Sequence, residues 1–399
     1  MKNSREVWIT GIGILSCAGE GIVAHAPSNQ KNFTQTDTTR FSPYCVHPLC
    51  TVDFAKQIVK TSEQKQMGLW QRTGVYAAGL ALADAGLTDQ PALLERTNLV
   101  VAAGNGERDC SFDSKVLGAG TCGAAAPAQL NEALLTGLRP TLYLGELSNL
   151  LAGNISIVHH ATGSSRTFKG EEISGVSAIE NAHRRISSGQ SDLFLVGGAL
   201  NAEREDLLLG YELGRTLWAH PYKSVWSRKA DGGGFIPGSV GAFLVLEARE
   251  HAQARGRKPY ARVCDVATDR CRRQPGEATR TLQNLFDKLG VPEGALAVMS
   301  GASGAEPATS EELEFLQGLE DRNYRVAIRA HGAWLGHSVE AHFPAGVCLA
   351  ALALASGQFF EPSDEKSVEA PFEAGEVPHV LVTGVGHWRG EGLALLARV

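Results

Sequence analysis

A duplicated helix–strand pattern constrains the fold of this chain more than any other feature. In the first half LALADAGL is followed by TNLVVAAGNG, and in the second LQNLFDKLGV is followed by ALAVMSGASG. Each pair predicts an amphipathic helix that ends at glycine and an apolar strand that also ends in glycine. The order recurs where a helix ending in SSGQ precedes SDLFLVGGALNAE, and a helix ending in ASGQ precedes PHVLVTGVGHWRG. Two halves of similar design are therefore predicted.

The alternation of strands and helices predicts an α/β protein whose parallel or mixed sheet is covered on both faces. The basic string AREHAQARGRK, residues 248–258, is predicted to be a helix and connector, which gives domains 1–252 and 253–399. Residues 24–60 and 362–377 are predicted to be irregular. At the N-terminus, EVWITGIGILS is predicted to be a buried strand and not a secretory signal, because Gly11 and Gly13 weaken a signal helix.

Composition narrows the possible environments and partners. The net charge of −6 argues against a general attraction to nucleic acid or anionic membranes. The sequence has no apolar run of the roughly 18 to 20 residues that cross a bilayer. Scattered cysteines without a CxxC pair indicate reduced thiols and a cytoplasmic location, while leaving a thiol enzyme possible. The 8 cysteines are Cys17, Cys45, Cys50, Cys110, Cys122, Cys264, Cys271 and Cys348.

The order of further motifs is more specific. VWITGIGILSCAGEG, NLLAGNISI, GEEISGVSAIENAHRRISSGQSDLFLVGG, GGGFIPGSVGAFLVLE, WLGHSVEAHFPAG and VTGVGHWRGEGLALL follow one another along the chain. Over essentially its whole length the chain resembles the β-ketoacyl-acyl-carrier-protein synthase II family of condensing enzymes. Within it, the chain is similar to chain-length-factor-like homologues that lack the catalytic cysteine. The resemblance implies a thiolase fold, with two duplicated halves in a five-layered α/β/α/β/α arrangement that pairs as a dimer.

The resemblance also shows where this chain departs from active members. There a cysteine on the turn into a buried helix takes up the acyl chain, and two histidines and a lysine support decarboxylation. Alignment places Glu172 at the cysteine position, with Glu171 before it, and retains the second histidine as His337. The remaining departures are Ser303 for the first histidine, Gly332 for the lysine, Val385 for the gate aromatic and Ser239 for an acidic residue. Nucleophile, base and electrostatic clamp are thus lost together.

The implied function is a non-catalytic chain-length-factor subunit. Such a subunit pairs with an active ketosynthase in type II polyketide, aryl-polyene or fatty-acid-like synthesis, shapes the acyl tunnel and meets an acyl carrier protein. Two alternatives remain open. One is a stand-alone decarboxylase or acyltransferase that uses Glu172 and His337 on carrier-bound thioesters, and the other is a homodimeric acyl-chain-binding protein.

Glu172 and Glu171 are hypothesised to form an ionic plug with Arg166 or Arg204, the alternative being acidic residues that simply favour a helix start. His337 either polarises a bound carbonyl or is retained by packing alone. By resemblance, four residues of the segment 105–112 are expected to line the dimer contact and cap a partner's tunnel. They are Glu107, Arg108, Cys110 and Phe112.

A basic segment is predicted to dock an acidic acyl carrier protein, the alternative being a solvated helix and linker. Its members are Arg255, Arg257, Lys258, Arg262, Arg270, Arg272 and Arg273.

No metal or cofactor is predicted. The spacings of His331, His337 and His342 do not place them on one helical face. CVHPLC, residues 45–50, lacks a second ligand pair and is predicted to be a loop with free thiols. Gly104 and Gly106 lack the acidic residue that a dinucleotide fingerprint carries about 20 residues further on.

Overall fold

The computed structural model describes residues 4–33, 35–119, 126–138, 144–363, 368–372 and 375–399. Within these residues a single mixed sheet of 11 strands frames the protein. In chain order the strands are β1 (Val7–Ser16), β2 (Gly19–Glu20), β3 (Asn98–Ala103), β4 (Ser165–Lys169), β5 (Leu193–Leu200), β6 (Val240–Ala248), β7 (Ala261–Asp269), β8 (Gly294–Ser300), β9 (Tyr324–Ala330), β10 (His379–Val385) and β11 (Glu391–Ala397).

Helices alternate with these strands. The longer described helices are Leu69–Asp84, Cys110–Ala119, Ala126–Gly137, Leu150–His159, Glu172–Ser187, Glu205–Leu213, Glu277–Leu289, Ala308–Gly318 and His342–Ser356. Short α-helices are Gly21–Ala24, Thr61–Gln66, Pro91–Leu94, Arg249–Ala254 and Gly332–Leu335. Short 3-10 turns are Pro27–Asn32, Phe54–Lys56, Val225–Ser227, Lys229–Asp231, Glu320–Arg322 and Val339–Ala341. We call Glu172–Ser187 the elbow helix and His342–Ser356 the central helix.

The strand pairing confirms the duplication. The sheet order is β4-β3-β5-β6-β1-β7-β11-β10-β8-β9. In the first half β3 runs parallel to β4 and β5, and β6 lies antiparallel between β5 and β1. In the second half β8 runs parallel to β9 and β10, and β11 lies antiparallel between β10 and β7. The two halves therefore repeat one pattern and join where β1 pairs with β7.

Side chains of each strand alternate between two cores, as the pleat requires. In β3, Val100 and Ala102 face a central core, whereas Leu99 and Val101 face an outer one. Strands of the second half divide in the same way between the central core and a second outer core. The elbow and central helices fill the middle layer, and Leu69–Asp84 and Glu277–Leu289 cover the outer faces. The five layers are those of the thiolase fold.

The glycines of β1 permit close contact between this strand and the helix Leu69–Asp84. A Cβ at Gly13 would lie 1.9 Å from the carbonyl oxygen of Ala77, and one at Gly11 would lie 2.4 Å from that of Ala81. The helix Leu69–Asp84 thus packs directly on the β1 backbone. The run EVWITGIGILS is a buried strand, as predicted.

Other predictions from the sequence are also confirmed. The segment 248–258 contains the short helix Arg249–Ala254, and residues 24–60 carry only short turns and bridges. The division into domains at residue 252 remains a prediction. In the described part, one apolar stretch, residues 339–356, has the length and hydropathy of a membrane span, but 89% of it is buried inside the protein as a core helix. Seven described cysteines are free thiols, and Cys122 lies outside the described residues.

Candidate functional site

The elbow helix presents Glu172 to the middle of the molecule. Glu172 is the first residue of the helix, and Glu171 before it has a non-helical backbone. The helix N-terminus carries a partial positive charge that favours a carboxylate. Glu172 is only 4% exposed, so its charge needs partners inside the protein.

Two histidines supply those partners. His337 Nε2 donates to Glu172 Oε1 at 2.9 Å, and His387 Nδ1 contacts the same oxygen. Burial by itself would raise the pKa of Glu172, but the neighbouring His387 and the hydrogen bonds from both rings hold it well below its usual range. Glu172 Oε2 has no hydrogen-bond partner. The site therefore holds an ionised carboxylate between two imidazoles.

The two histidines come from separate loops. His337 follows Gly336, whose φ of 73° turns the chain sharply after the helix Gly332–Leu335. His387 lies between β10 and β11, where Arg273 donates to the carbonyl of Gly386. The ring of Phe235 packs against both imidazoles, with centroid distances of 5.1 Å to His337 and 4.8 Å to His387. The aromatic ring thus covers one side of the two imidazoles that contact Glu172.

Ser303 extends this network. It follows β8, is 4% exposed, and its Oγ lies 3.2 Å from His387 Nε2. The main-chain N–H of Ala305 donates to the same Oγ at 3.1 Å. Hydrogen bonds therefore connect Ser303, His387 and Glu172 in a line.

Two more histidines stack behind His337. The ring of His342 lies 4.3 Å from that of His337 and 4.0 Å from that of His331. Burial lowers the pKa of His331 to about 3 and that of His342 well below its usual range, so both are neutral. Their sequence spacing does not place His331, His337 and His342 on one helical face, but the fold brings their rings together. Both ring nitrogens of His331 lack hydrogen-bond partners.

Glu172, His337 and His387 are the residues that can hold a metal ion in the described part of the chain. One ligand atom from each lies within 4.8 Å of the other two. Two imidazoles and a carboxylate match the donor set of some catalytic zinc sites. Of the three histidines whose spacing argues against a metal site, this group contains His337 alone.

A pocket of about 410 Å³ lies beside the elbow. Glu171 and Trp388, the chain neighbours of Glu172 and His387, form part of its wall. The full lining is Gly104, Asn105, Lys169, Gly170, Glu171, Leu200, Arg204, Asp206, Leu207, Gly210, Tyr211, Glu340 and Trp388. Burial, with the nearby Glu172 and Glu171, raises the pKa of Glu340 to about 8. Glu340 is therefore protonated at neutral pH.

The predicted tunnel residues have local structural contacts. Glu107 accepts hydrogen bonds from the main-chain N–H groups of Leu69 and Trp70, both at 2.7 Å, and thereby caps the helix Leu69–Asp84. Arg108 is exposed and pairs with Asp113. Phe112 and Cys110 are half-buried, and Phe112 packs over Gly137. The described pocket is instead lined by Asn105, the first residue of the segment 105–112, and by the preceding Gly104.

The basic segment divides into internal and exposed members. Arg255 pairs with the buried Glu247 and donates to the carbonyl of Ala85, and Arg257 donates to the carbonyl of Asp84. Arg273 pairs with the buried Glu391, and Arg262 pairs with Glu6. The exposed members are Lys258, Arg270 and Arg272. Docking by this segment therefore stays a prediction, and Arg255, Arg257 and Arg273 are held by contacts within the protein.

The structure contradicts the hypothesis that Arg166 or Arg204 is the partner of Glu172 at the start of the elbow helix. Arg166 is exposed on β4, and Arg204 pairs with Asp206 and donates to the carbonyl of Gly106. The partners of Glu172 are instead two histidines, which reach the carboxylate from the second half of the chain.

Three other positions at which the sequence departs from active family members have local contacts. A Cβ at Gly332 would lie 3.1 Å from the carbonyl oxygen of Ala302 and 3.5 Å from the ring of His342, so the imidazole occupies space beside the lysine position. Val385 is 4% exposed at the end of β10. Ser239 Oγ accepts from the main-chain N–H of Ala202.

His387 and Glu340 were not among the predicted site residues. The string GVGH, residues 384–387, could have indicated His387, because it places an imidazole two residues after Val385, the position of the gate aromatic. The helix-start sequence around Glu340 gives no comparable signal, since its burial against Gly104 arises from residues far apart in the chain.

Comparison with known proteins agrees with the fold and the motif order. The family model described as "Beta-ketoacyl synthase, N-terminal domain" matches residues 5–252. The 3-oxoacyl-(acyl-carrier-protein) synthase 2 of Rhizobium meliloti is 26% identical over 406 residues, covering 94% of this chain and 92% of that protein. The enzyme of the same name from Vibrio cholerae is 26% identical over 270 residues, and the match spans 65% of this chain and 62% of that relative.

Solved structures share the fold over nearly the whole chain. "The ishigamide ketosynthase/chain length factor" matches 99% of this chain and all of its own at a TM-score of 0.77, with 20% identity. A type II PKS acyl-carrier protein in complex with its ketosynthase matches at a TM-score of 0.74, with 16% identity and coverage of 99% and 100%. At these low sequence identities, the similar structures support the fold alone. The family model matches more than half of the sequence. The chain belongs to the beta-ketoacyl synthase family.

Proposed function

We propose that this chain is a non-condensing subunit that resembles a chain-length factor and pairs with a cysteine-bearing ketosynthase. The observation that carries the proposal is Glu172 at the start of the elbow helix, where active members present their cysteine. Its carboxylate is bound by His337 and His387 and cannot form the thioester on which condensation depends. None of the described cysteines lies at the start of this helix.

The partners are proposed from the family and its structural neighbours. One similar structure is described as a ketosynthase/chain length factor, and another as an acyl-carrier protein in complex with its ketosynthase. We infer the same classes of partner for this chain. The side chains of Lys258, Arg270 and Arg272 are exposed and are available to contact an acidic carrier protein. The other arginines of the basic segment are held by contacts within the protein.

A surface suited to subunit pairing lies at one edge of the sheet. β4 is the edge strand in the described chain, and it pairs only with β3 there. Nearby in sequence, exposed leucines are concentrated between residues 117 and 147. They are Leu117, Leu134, Leu135, Leu144 and Leu147. An open strand edge and exposed apolar side chains favour association with another subunit.

The pocket beside the elbow is proposed to receive the distal part of the growing chain. Gly210 lines it, and a Cβ there meets no atom within 4 Å. The first carbon of a larger side chain at this position therefore meets no clash, and the side chain adds bulk to the pocket lining. We expect Gly210→Leu to shorten the products of the assembled complex, as measured by mass spectrometry of released chains.

Gly318 provides the matched control. It is also helical, a Cβ there also meets no atom within 4 Å, and it does not line the pocket. Gly318→Leu is expected to leave product length unchanged. Equal shortening by both variants, or by neither, would contradict the assignment of this pocket.

Co-expression with a cysteine-bearing ketosynthase tests the central proposal. We expect a stable complex whose condensation requires the partner's cysteine and persists when this chain carries Glu172→Gln. Decarboxylation of a malonyl-carrier protein by the isolated chain, abolished by Glu172→Gln, would instead support the stand-alone decarboxylase. A stable homodimer that binds acyl chains but not the ketosynthase would support the acyl-binding alternative.

A further inference from the structure

Ser303, His387 and Glu172 form a hydrogen-bonded line of three functional groups. Ser303 Oγ lies 3.2 Å from His387 Nε2, and the opposite ring nitrogen, Nδ1, contacts Glu172 Oε1. A carboxylate at Nδ1 favours the tautomer that carries a proton there, which leaves the lone pair of Nε2 to accept the serine proton. This order of contacts is that of a hydroxyl nucleophile, a general base and an orienting acid.

We propose that Ser303 is a nucleophile toward acyl thioesters and that the site hydrolyses them. His387 acts as general base and acid, and Glu172 is a positioning residue. The proposal rests on the geometry of this site and on membership of a family that handles acyl thioesters. It does not depend on pairing with a ketosynthase, and hydrolysis is a separate reaction from condensation.

The reaction balances with water as the only co-reactant. Ser303 Oγ bonds to the thioester carbonyl carbon while its proton passes to His387 Nε2. The carbon–sulfur bond then breaks, and His387 returns that proton to the departing thiolate, leaving a serine ester and a free thiol. Water attacks the ester with His387 again accepting a proton, which it returns to the serine oxygen. The products are a carboxylic acid, a thiol and regenerated Ser303.

A buried guanidinium adjoins the nucleophile. Arg228 is fully buried, and its Nη1 donates to the main-chain carbonyls of Ser303 at 3.0 Å and Gly234 at 3.3 Å. Its Nη2 has no hydrogen-bond partner. Positive charge and a spare donor beside Ser303 favour the oxyanion that forms when the serine attacks a carbonyl.

The surroundings restrict both the carboxylate and the route to the serine. The hydrogen bond from His337 fixes Glu172 Oε1, so the acid cannot rotate away from His387. The turn after Ser303 is tied to a glycine-rich loop, where Gly234 N donates to the Gly304 carbonyl at 2.7 Å, and the preceding Gly232 is exposed. This glycine-rich loop is thus a partly exposed segment that is hydrogen-bonded to the turn carrying Ser303.

Labelling of the full-length chain with a fluorophosphonate tests the proposal. This probe bonds to activated serine oxygens with loss of fluoride, and intact-mass and peptide mass spectrometry locate the adduct. We expect a single adduct on Ser303 and its loss in Ser303→Ala. In His387→Gln the labelling rate should fall at least about 100-fold, the usual scale for a general base.

Ser338→Ala is the matched control. Ser338 is 1% exposed and its hydroxyl has no hydrogen-bond partner. It is therefore a similarly buried serine that is not hydrogen-bonded to His387. Labelling should persist in this variant. Ser303→Cys should restore a covalent adduct, now with iodoacetamide, in a protein whose circular dichroism and melting match those of the wild type.

Three results would overturn the proposal. One is the absence of an adduct on Ser303 in folded protein, and another is unchanged labelling in His387→Gln. The third is labelling that requires added Zn²⁺ and disappears with a chelator, because this would assign Glu172, His337 and His387 to a metal site. Co-purification with a ketosynthase is measured separately and should survive Ser303→Ala, so failure of either proposal can be recognised.

Discussion

Two buried glutamates on adjoining sides of the elbow differ in charge. Glu172 faces the histidine side, where two imidazoles contact one of its oxygens, and its pKa lies well below the usual range. Glu340 faces the pocket side, and burial raises its pKa to about 8. Their exposed fractions are nearly equal, 4% and 6%. Burial opposes ionisation at both positions, and hydrogen-bond donors within reach decide which carboxyl becomes charged.

The histidine side and the pocket side also differ in the chemical groups that they contain. The histidine side combines an ionised acid, a base and a hydroxyl in a volume closed by Phe235. The pocket side presents a neutral carboxyl and Tyr211 to a 410 Å³ space. We therefore propose acid–base chemistry for the first side and accommodation of a bound chain for the second.

Removal of His387 should produce the largest effect. His387→Ala leaves the buried Glu172 carboxylate with one of its two imidazole donors, and we expect the free energy of unfolding at pH 7 to fall by about 3 kcal/mol. Urea unfolding followed by tryptophan fluorescence measures this change. The double variant with Glu172→Gln should lose less than the sum of the two single changes. Additivity within about 0.5 kcal/mol would show that the pair is not coupled.

Arg273 should have the next largest effect, because it anchors the loop that carries His387. It pairs with Glu391, which is fully buried, and donates to the carbonyl of Gly386. Arg273→Gln is expected to lower the free energy of unfolding by about 2 kcal/mol. The adjacent, exposed Arg272 is the matched control, and Arg272→Gln should change stability by no more than about 0.5 kcal/mol. Equal effects would contradict the division of the basic segment into internal and exposed members.

Glu340 should give an effect that depends on pH, and the sign of that effect is fixed by the raised pKa. In the unfolded chain the carboxyl loses its proton above its ordinary pKa of 4.5, whereas the native protein keeps it until about pH 8. The stabilisation is complete below pH 4.5 and is lost as pH rises toward 8, by about 1.4 kcal/mol per pH unit.

Glu340→Gln keeps the neutral shape and removes the titration. Its stability relative to the wild type should therefore rise steadily between pH 5.5 and 7.5, as measured by urea unfolding at each pH. A difference that is constant over this range would show that Glu340 is ionised in the native protein, as Glu172 is.

Much of the fold could be predicted from the sequence. Helix periodicity and terminal glycines located the repeated units, and the same pairing pattern appears in both halves of the sheet. The start of the elbow helix at Glu172 agrees with the motif alignment. These features depend on residues close together in the chain, where hydrophobic period and glycine placement act directly.

The partners of the site residues could not be predicted in this way. Charge suggested arginines for Glu172, but the structure provides His337, which is 165 residues away, and His387. The basic segment looked like a continuous surface, yet Arg255 and Arg273 reach buried carboxylates on other strands. Glu107 likewise became a helix cap because a helix start lies beside it in space.

The sequence by itself determined the duplicated α/β scaffold and the pair of glutamates at the start of the elbow helix. Only the tertiary structure decided which groups surround Glu172, that Ser303 meets His387, and that Glu340 is neutral. The physical reason is that secondary structure follows local pattern, whereas the charge and reactivity of a buried group follow from desolvation and from donors contributed by distant segments.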